Sequence, residues 1–540
     1  MRRLLVVPLV VVAAIALGVV TGPARATPPD CDRTTALCAE PVDAIGYGGA
    51  YTGHDEPSLL FYSNAAGSGN TNFYKLQIPS DPKVLPNQAG TAGTWNFQLH
   101  PAFWLGMALC DNQSAPEFTN APCTPDSDTN IFDGTDPAAA DYIGKHPGTA
   151  FLELQFYPPG WAPWPPGVSC DATKWCAAMA IFSLNQDQNT GTLNNAACLN
   201  SVGLEPANFA FITKSGVPHA PPGPLDLTDG SFTPSAATDL FMGSGDVLAI
   251  DIHDGAAGLT AIIHDLTTGE TGAMTASAAN GFAQVLYEPA SATCHEAPYT
   301  FRPMYATSSE HTRVPWAAHS YNVAFSDEIG HFEYCNAVTA EGGDCTSNGE
   351  ASLDDDDTGC FSSAVSLLVQ IGGCLGTDND FDGVSYQPVW PGADPNRGQD
   401  KKLHPSSVLF TSPVFGAGQN YSRVAFEADL PRIEAADFGG NCDRFTGTNC
   451  VNPPPGANFY PIYTTGDPKK SDSASKQLAS GSCVWQLGGA NLKGTTNTFG
   501  GNSTAEFGPL LFSFYPNPNP AARLRTNNFR NVLDSNPCPA

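Results

Sequence analysis

The sequence predicts an all-β protein with two β-sandwich lobes of the jelly-roll type and long loops pinned by disulfides. Three observations support this fold class. Short segments of alternating apolar and polar residues recur along the chain, glycine, proline and asparagine separate them, and there are 16 cysteines. Long helical periodicity is nearly absent, and the one helix that we expect is short and lies around Ser363–Ile371.

The strand predictions rest on period-two alternation and on β-branched and aromatic residues. Asp265–Gly269, with the sequence DLTTG, is a predicted hairpin turn in which Gly269 suits the left-handed position. The predicted strands are Ser58–Tyr62, Trp95–His100, Phe151–Tyr157, Ala178–Ser183, Asn208–Thr213, Val247–His253, Leu259–His264, Tyr321–Tyr334, Val408–Thr411, Ser422–Ala428 and Phe459–Thr464.

Two lobes are predicted, at residues 27–220 and 236–540. A weak internal repeat supports them, because 57–76 and 405–424 share Pro-Ser, an apolar strand, a Gly-x-Gly loop and Asn before an aromatic residue. An internal duplication and a chance similarity both account for this likeness. The proline-rich segment 216–235 either connects the lobes or forms a long loop within one of them.

Residues 1–26 have the features of a signal peptide. Two arginines precede an apolar run over 4–20, and Ala24-Arg25-Ala26 has the small-x-small pattern of a cleavage site. No later run reaches the roughly 18–20 apolar residues that span a bilayer. The sequence therefore predicts a secreted protein, cleaved near Thr27, with no membrane insertion in its mature form.

The even number of cysteines in an exported chain indicates a disulfide framework. No CxxC motif occurs, which argues against a thiolate-bound zinc or a redox dithiol. Cysteines close in sequence are the expected partners, and Cys198/Cys294 and Cys483/Cys538 are the pairings left over. The expected close pairs are Cys31/Cys38, Cys110/Cys123, Cys170/Cys176, Cys335/Cys345, Cys360/Cys374 and Cys442/Cys450.

The composition is strongly acidic. The chain has 53 aspartates and glutamates against 24 lysines and arginines, a formal net charge of −29. An acidic surface repels nucleic acid and anionic lipid. The charge therefore argues against nucleic acid as a partner and suits an exoprotein that binds cations.

The stretch 320–335, SYNVAFSDEIGHFEYC, changes the phase of its apolar residues from odd to even positions. One extra residue in a strand accounts for the change, and Gly330 is the natural place for such a β-bulge. The bulge would turn Glu328, His331 and Glu333 onto one face of the strand.

Two glutamates on one concave face can serve as nucleophile and acid/base of a retaining glycosidase, whose carboxylates lie roughly 5 Å apart. The arrangement resembles that of the jelly-roll endoglucanases, which carry two glutamates on one bulged strand with an aspartate between them. Here Gly330 or His331 takes the place of that aspartate. We therefore predict Glu328, Glu333 and His331 as catalytic residues, and the alternative is a kinked strand with a solvated polar face.

A second group of residues indicates a carbohydrate-binding surface. Trp161 and Trp164 are three residues apart in a proline-rich stretch, so in polyproline II they project from one side. The strand before them places Glu153, Gln155 and Tyr157 on one face. We predict that these five residues bind substrate. The alternative is that the tryptophans cover the edge of the core.

The segment DNDFDG matches the first half of a calcium-binding loop. Asp378, Asp380 and Asp382, followed by Gly383, occupy the positions of the first ligands in an EF-hand-type loop. The position of the usual final glutamate holds Val389, so a full EF-hand is excluded. We expect a structural calcium ion that other residues complete, and a solvated acidic loop is the alternative.

The sequence thus predicts a secreted hydrolase that acts on polysaccharide or glycan through paired carboxylates. One alternative is a non-catalytic carbohydrate-binding or cell-surface protein that calcium stabilises. Another is a metal-dependent enzyme, because four of the 11 histidines lie between His295 and His331.

Overall fold

The described part of the chain is mostly β-structure, which confirms the predicted all-β class. The computed structural model describes residues 56–62, 69–80, 102–113, 123–125, 138–140, 149–157, 170–171, 173–187, 192–303, 316–321, 406, 408–415, 419–421, 423–429, 464–466, 484–486, 510–514 and 525–533. In these ranges, no helix is long and apolar enough to cross a membrane.

The strands are short, and a single α-helix lies among them in the described ranges. The elements are β1 (Glu56–Tyr62), β2 (Thr71–Gln77), β3 (Ala102–Cys110), β4 (Thr149–Tyr157), β5 (Lys174–Ser183), α1 (Ala196–Val202), β6 (Ala207–Phe211), β7 (Phe241–Gly243), β8 (Val247–Gly255), β9 (Gly258–Asp265), β10 (Thr271–Ala276), β11 (Ala283–Val285), β12 (Glu296–Pro298), β13 (Trp316–Tyr321), β14 (Leu409–Thr411), β15 (Val414–Phe415), β16 (Gln419–Asn420), β17 (Arg423–Asp429), β18 (Thr464–Gly466), β19 (Val484–Gln486), β20 (Leu510–Phe514) and β21 (Arg525–Leu533).

The described strands form two large antiparallel sheets and a small hairpin. Sheet A has ten strands in the order β20-β21-β17-β1-β13-β3-β4-β5-β6, with β7 also paired to β5. Sheet B has nine strands in the order β10-β9-β8-β2-β14-β19-β18, with β15 paired to β2 and β16. The hairpin pairs β11 with β12. Consecutive strands β3–β6 and β8–β10 form meanders, the connection that antiparallel pairing favours.

Eight of the eleven predicted strands lie at or near observed ones, namely β1, β4, β5, β6, β8, β9, β14 and β17. The DLTTG turn joins β9 to β10, with Gly269 at a φ of 81° and its N–H donating to the Asp265 carbonyl at 2.7 Å. The predicted strand Trp95–His100 and the predicted helix Ser363–Ile371 fall on residues that the structure does not describe.

Helix α1 was not predicted, because it has only seven residues and shows no periodicity. Local caps define it instead. The Asn195 side chain accepts the Cys198 N–H at the first turn, and the chain leaves through Gly203 at a φ of 71°.

The two sheets share one hydrophobic core. Its members include Leu105 and Met179 from sheet A, Leu76 and Ile250 from sheet B, and the fully buried Trp485. Strands from both predicted lobes also pair within each sheet, since β1 lies between β13 and β17 and β2 lies between β8 and β14. The two-lobe division and the internal duplication are therefore not confirmed.

The outer faces of the two sheets differ in how they are covered. Along β2, β8 and β9, buried residues alternate with more exposed ones, so one face of sheet B is open to water. Along β4 every residue from Ala150 to Tyr157 is buried, and β5 is buried over most of its length. Sheet A is thus covered on both faces at β4 and β5.

Three disulfides match predicted pairings: Cys110–Cys123, Cys170–Cys176 and Cys198–Cys294. The Cys198–Cys294 bond spans 96 residues and links α1 to the loop between β11 and β12. The other predicted pairings fall beyond the described ranges.

Two residues after β12, Phe301 and Arg302, connect the two sheets through backbone hydrogen bonds. The Cys110 N–H of β3 donates to the Arg302 carbonyl at 2.8 Å, and the Leu259 N–H of β9 donates to the Phe301 carbonyl at 3.2 Å. Because β3 belongs to sheet A and β9 to sheet B, two adjacent residues bond to both sheets.

A buried ion pair fixes the turn between β8 and β9. The Arg302 guanidinium donates to Asp254 Oδ1 at 2.9 Å, to the Ala256 carbonyl at 3.0 Å and also to the Gly255 carbonyl. The side chains of Arg302 and Asp254 are only 10% and 0% exposed. Both charges are therefore out of water, where they depend on each other.

Two carboxyl groups meet where β7, β8 and the β9–β10 turn come together. Asp246 and Asp265 are both buried, and the Gly243 N–H donates to the Asp246 carboxyl group. Burial raises the pKa of Asp246, and the neighbouring Asp265 carboxylate raises it further. The Gly243 N–H and the Lys174 ammonium act in the opposite direction.

Candidate functional site

Most predicted site residues fall on parts of the chain that the structure does not describe. They are Glu328, His331, Glu333, Trp161, Trp164, Asp378, Asp380 and Asp382. Strand β13 reaches the first residue of the strand predicted at Tyr321–Tyr334, and it lies inside sheet A between β1 and β3. The catalytic pair, the tryptophan platform and the calcium loop stay predictions.

The structure does bring Glu153, Gln155 and Tyr157 together on one face of β4. Gln155 Nε2 donates to Glu153 Oε2 at 2.6 Å, and the Tyr157 hydroxyl donates to Gln155 Oε1. These residues are only 2%, 4% and 3% exposed. Neighbouring segments cover this face of β4. The role of the three residues in binding substrate stays a prediction.

Two aromatic rings lie beside this row of polar residues. In the register of β3 and β4, Trp104 pairs with Gln155 and Gly106 pairs with Glu153. The rings of Trp104 and Phe151 meet edge to face with centroids 5.4 Å apart. A Cβ atom on Gly106 would lie 2.8 Å from Phe151 Cε1, so the glycine leaves the space that these rings occupy.

The proline-rich segment 216–235 covers the far end of the same face. Leu227 and Phe232 pack in a cluster that contains Tyr157 and Phe209, and the rings of Phe209 and Phe232 lie 5.0 Å apart. The segment therefore packs on sheet A as a long ordered loop.

An open groove lies on the outer face of sheet B. Its floor is Ala249 of β8, which pairs with Lys75 of β2 on one side and with His264 of β9 on the other. In the next row of the sheet, Phe73 pairs with Asp251. The small side chain between longer ones leaves a groove of about 320 Å³.

The groove combines an exposed aromatic ring with polar groups in fixed positions. Phe73 is 45% exposed, although it lies in the middle of a strand. His264 Nδ1 lies 2.9 Å from the Thr271 hydroxyl, and Asp251 Oδ1 lies 3.3 Å from His253 Nδ1. Ligands that are apolar on one side and rich in hydrogen-bonding groups on the other match this lining.

The predicted histidine cluster is only partly described. His295 Nδ1 lies 2.6 Å from Glu288 Oε2, and its Nε2 lies 3.0 Å from Thr293 Oγ1. His319 belongs to β13, while His311 and His331 fall outside the described ranges. Among the described residues, no group of three or more histidines, cysteines, aspartates or glutamates is placed to hold a metal ion.

Comparisons with protein families, with curated proteins and with solved structures found no match. The groove on sheet B was not singled out from the sequence. The signal was the segment TNFYKLQ, in which strand alternation places Phe73 and Lys75 on the polar side of β2.

Proposed function

We propose that the protein is an exported glycan-binding protein that holds sugar in the groove of sheet B. The observation that carries this proposal is the exposure of Phe73, whose strand neighbours Asn72 and Tyr74 are buried. A sugar ring has apolar C–H faces and a rim of hydroxyl groups. An exposed aromatic face with polar neighbours suits both parts of such a ligand.

The size and polarity of the groove support a single sugar unit of a longer chain. Its volume of about 320 Å³ is at the lower end of the roughly 300–1,000 Å³ typical of ligand sites. Lys75 and His264 lie two strand spacings apart, roughly 10 Å between Cα atoms. They supply hydrogen-bond donors at either side of Ala249, and Asp251 supplies an acceptor.

Export and a sandwich architecture are part of the same proposal. The apolar segment 4–20 after two arginines supports a secretory leader, and three disulfides support an oxidising compartment. The core that the two sheets share supports a β-sandwich.

The test is glycan binding by Phe73→Ala, measured by calorimetry on the ligand that a glycan panel identifies. We expect about a tenfold loss of affinity, roughly 1.4 kcal/mol, which is within the scale of an aromatic contact. Leu193→Ala is the matched control, because Leu193 is 48% exposed and lies outside the groove. A panel without any ligand, or equal affinities for wild type and Phe73→Ala, would refute the proposal.

A glycan hydrolase is the second candidate, with Glu328 and Glu333 as the paired carboxylates, His331 beside them and Glu153 in reserve. The observation in its favour is the place of β13 inside sheet A, because the predicted bulged strand continues from its last residue. Strand β3 separates β13 from β4, which carries Glu153.

Product release from the glycan panel tests the hydrolase. Glu328→Gln and Glu333→Gln should each reduce turnover by more than a hundredfold, since each removes a group that a retaining mechanism needs. Undiminished turnover in both variants would exclude the hydrolase.

Calcium, proposed at Asp378, Asp380 and Asp382, should raise the melting temperature, and chelation should reverse that gain.

A further inference from the structure

The hairpin loop between β11 and β12 carries a chain of three side chains that the glycan proposals do not use. Glu288 Oε2 lies 2.6 Å from His295 Nδ1, and Thr293 Oγ1 lies 3.0 Å from His295 Nε2. An acid, an imidazole and a hydroxyl in this order match the geometry of an activated nucleophile, in which the acid orients the base.

The hydroxyl group that faces the imidazole is that of Thr293. The nearby Ser291 Oγ donates to the Thr293 carbonyl at 2.9 Å and accepts the Thr293 N–H at 3.1 Å. Ser291 Oγ also lies 3.3 Å from Thr293 Oγ1, a longer contact than the 3.0 Å between Thr293 Oγ1 and His295 Nε2. Thr293 is exposed, so a substrate reaches its oxygen from solvent.

Residues at the start of α1 hold the loop in this shape. Asn195 Nδ2 donates to the carbonyls of Glu288 and Thr293, at 3.0 and 3.2 Å. The Glu288 N–H donates to Asn194 Oδ1 at 2.8 Å, and the Cys198–Cys294 disulfide anchors the residue between Thr293 and His295. A second layer of contacts that fixes reacting groups is what a preorganised site requires.

We propose that Thr293 and His295 form an acyl-transfer site that cleaves carboxylic esters, with Glu288 as the positioning residue. Thr293 Oγ1 attacks the ester carbonyl carbon while its proton passes to His295 Nε2. The bond to the alcohol then breaks, and His295 returns the proton to the departing oxygen. Water repeats the same proton transfers on the acyl-threonine and releases the acid.

The expected acceleration is modest. Proton transfer by a positioned histidine contributes roughly 10²–10⁴-fold. The contacts between Glu288, His295 and Thr293 account for this acceleration. Among the described residues, no pair of hydrogen-bond donors is aimed at a developing oxyanion. The hairpin loop and the groove of sheet B share no residue, so a negative result for ester cleavage does not bear on glycan binding.

The test uses the full-length protein with p-nitrophenyl acetate. Nitrophenol release gives the rate, and peptide mass spectrometry locates the acetyl group. We expect acetylation of Thr293, at least a tenfold slower release in Thr293→Ala and His295→Ala, and activity retained in Thr293→Ser. Glu288→Gln should slow acetylation of Thr293 without changing the melting temperature, an effect that a purely structural role would not produce.

A second threonine close to a histidine, Thr271, is an internal control for the labelling of Thr293. Thr271 Oγ1 lies 2.9 Å from His264 Nδ1, with no carboxylate partner for that ring among the described residues. Thr271 should therefore remain unlabelled. Acetyl groups found only on histidine or lysine, or a Thr293→Ala protein that releases nitrophenol at the wild-type rate with its disulfide intact, would overturn the proposal.

Discussion

Replacement of Arg302 by methionine is the sharpest test of the contacts that hold the two sheets together. The substitution keeps an apolar stem but leaves the Asp254 carboxylate buried, 0% exposed, without its guanidinium partner. Removal of one partner of a buried ion pair costs about 3–5 kcal/mol. The Gly255 and Ala256 carbonyls also lose donors, although they lie in a turn where water can replace them. We therefore expect a loss of about 3–5 kcal/mol in the free energy of unfolding.

Urea denaturation followed by tryptophan fluorescence measures this loss, because Trp175 and Trp485 are fully buried in the shared core. The control is the double variant Arg302→Met/Asp254→Asn, in which neither charge of this pair remains. It should be about 0.5–3 kcal/mol more stable than the sum of the single changes predicts, the range seen for contacting residues. A cost below about 1 kcal/mol for Arg302→Met, or simple additivity in the double variant, would refute the reasoning.

Three further predictions concern stability. Loss of the Cys198–Cys294 bond, which spans 96 residues, should cost about 4.7 kcal/mol in urea denaturation, against about 2.2 kcal/mol for the Cys170–Cys176 bond, which spans 6. The raised pKa of Asp246 means that the folded state binds this proton more tightly than the unfolded state. The contribution of Asp246 to stability is therefore greatest below the ordinary pKa of 3.8 and is lost as the pH rises through the folded pKa. Asp246→Asn should therefore melt at a higher temperature than wild type at pH 7 and at a similar temperature near pH 3. Gly106→Ala should cost about 1–3 kcal/mol, because its Cβ would press on the Trp104 ring.

Each of these predictions has a contrary outcome. Equal costs for the two disulfides would show that the length of the closed loop does not control the effect. A lower melting temperature for Asp246→Asn at pH 7 would mean that the carboxylate is needed in its charged form. Gly230→Ala is the control for Gly106→Ala, since its nearest neighbour, Thr228 Oγ1, lies at 3.4 Å. A similar cost at both glycines would contradict the packing argument.

Strand β4 shows which part of this structure is readable from sequence. Its alternation correctly predicted an extended segment with Leu152, Leu154 and Phe156 in the core. The same alternation does not show whether Glu153 and Gln155 face water, because a polar face in water and a polar face under a loop have the same period. The polar side chains satisfy one another, and the residues that cover them come from a distant part of the chain.

The groove on sheet B was hidden for a related reason. Ala249 is an ordinary strand residue in the sequence, and it becomes the floor of a groove only through its pairing with Lys75 and His264. The pairing with Lys75 joins segments that are far apart in the chain, and a shift of one residue would send every side chain to the other face. Local patterns do not show which distant strand lies beside which.

The position of β1 also bears on when the chain can fold. Its two neighbours in sheet A are β13 and β17, so Glu56–Tyr62 cannot complete its pairing until residues 423–429 have been made. At about 5–20 residues per second, synthesis reaches them on the order of tens of seconds after β1 emerges. Contacts this distant in sequence also slow folding itself. Strand β1 therefore stays without β13 and β17 while the intervening residues are made, even though β3–β6, which pair with their neighbours in sequence, can form earlier.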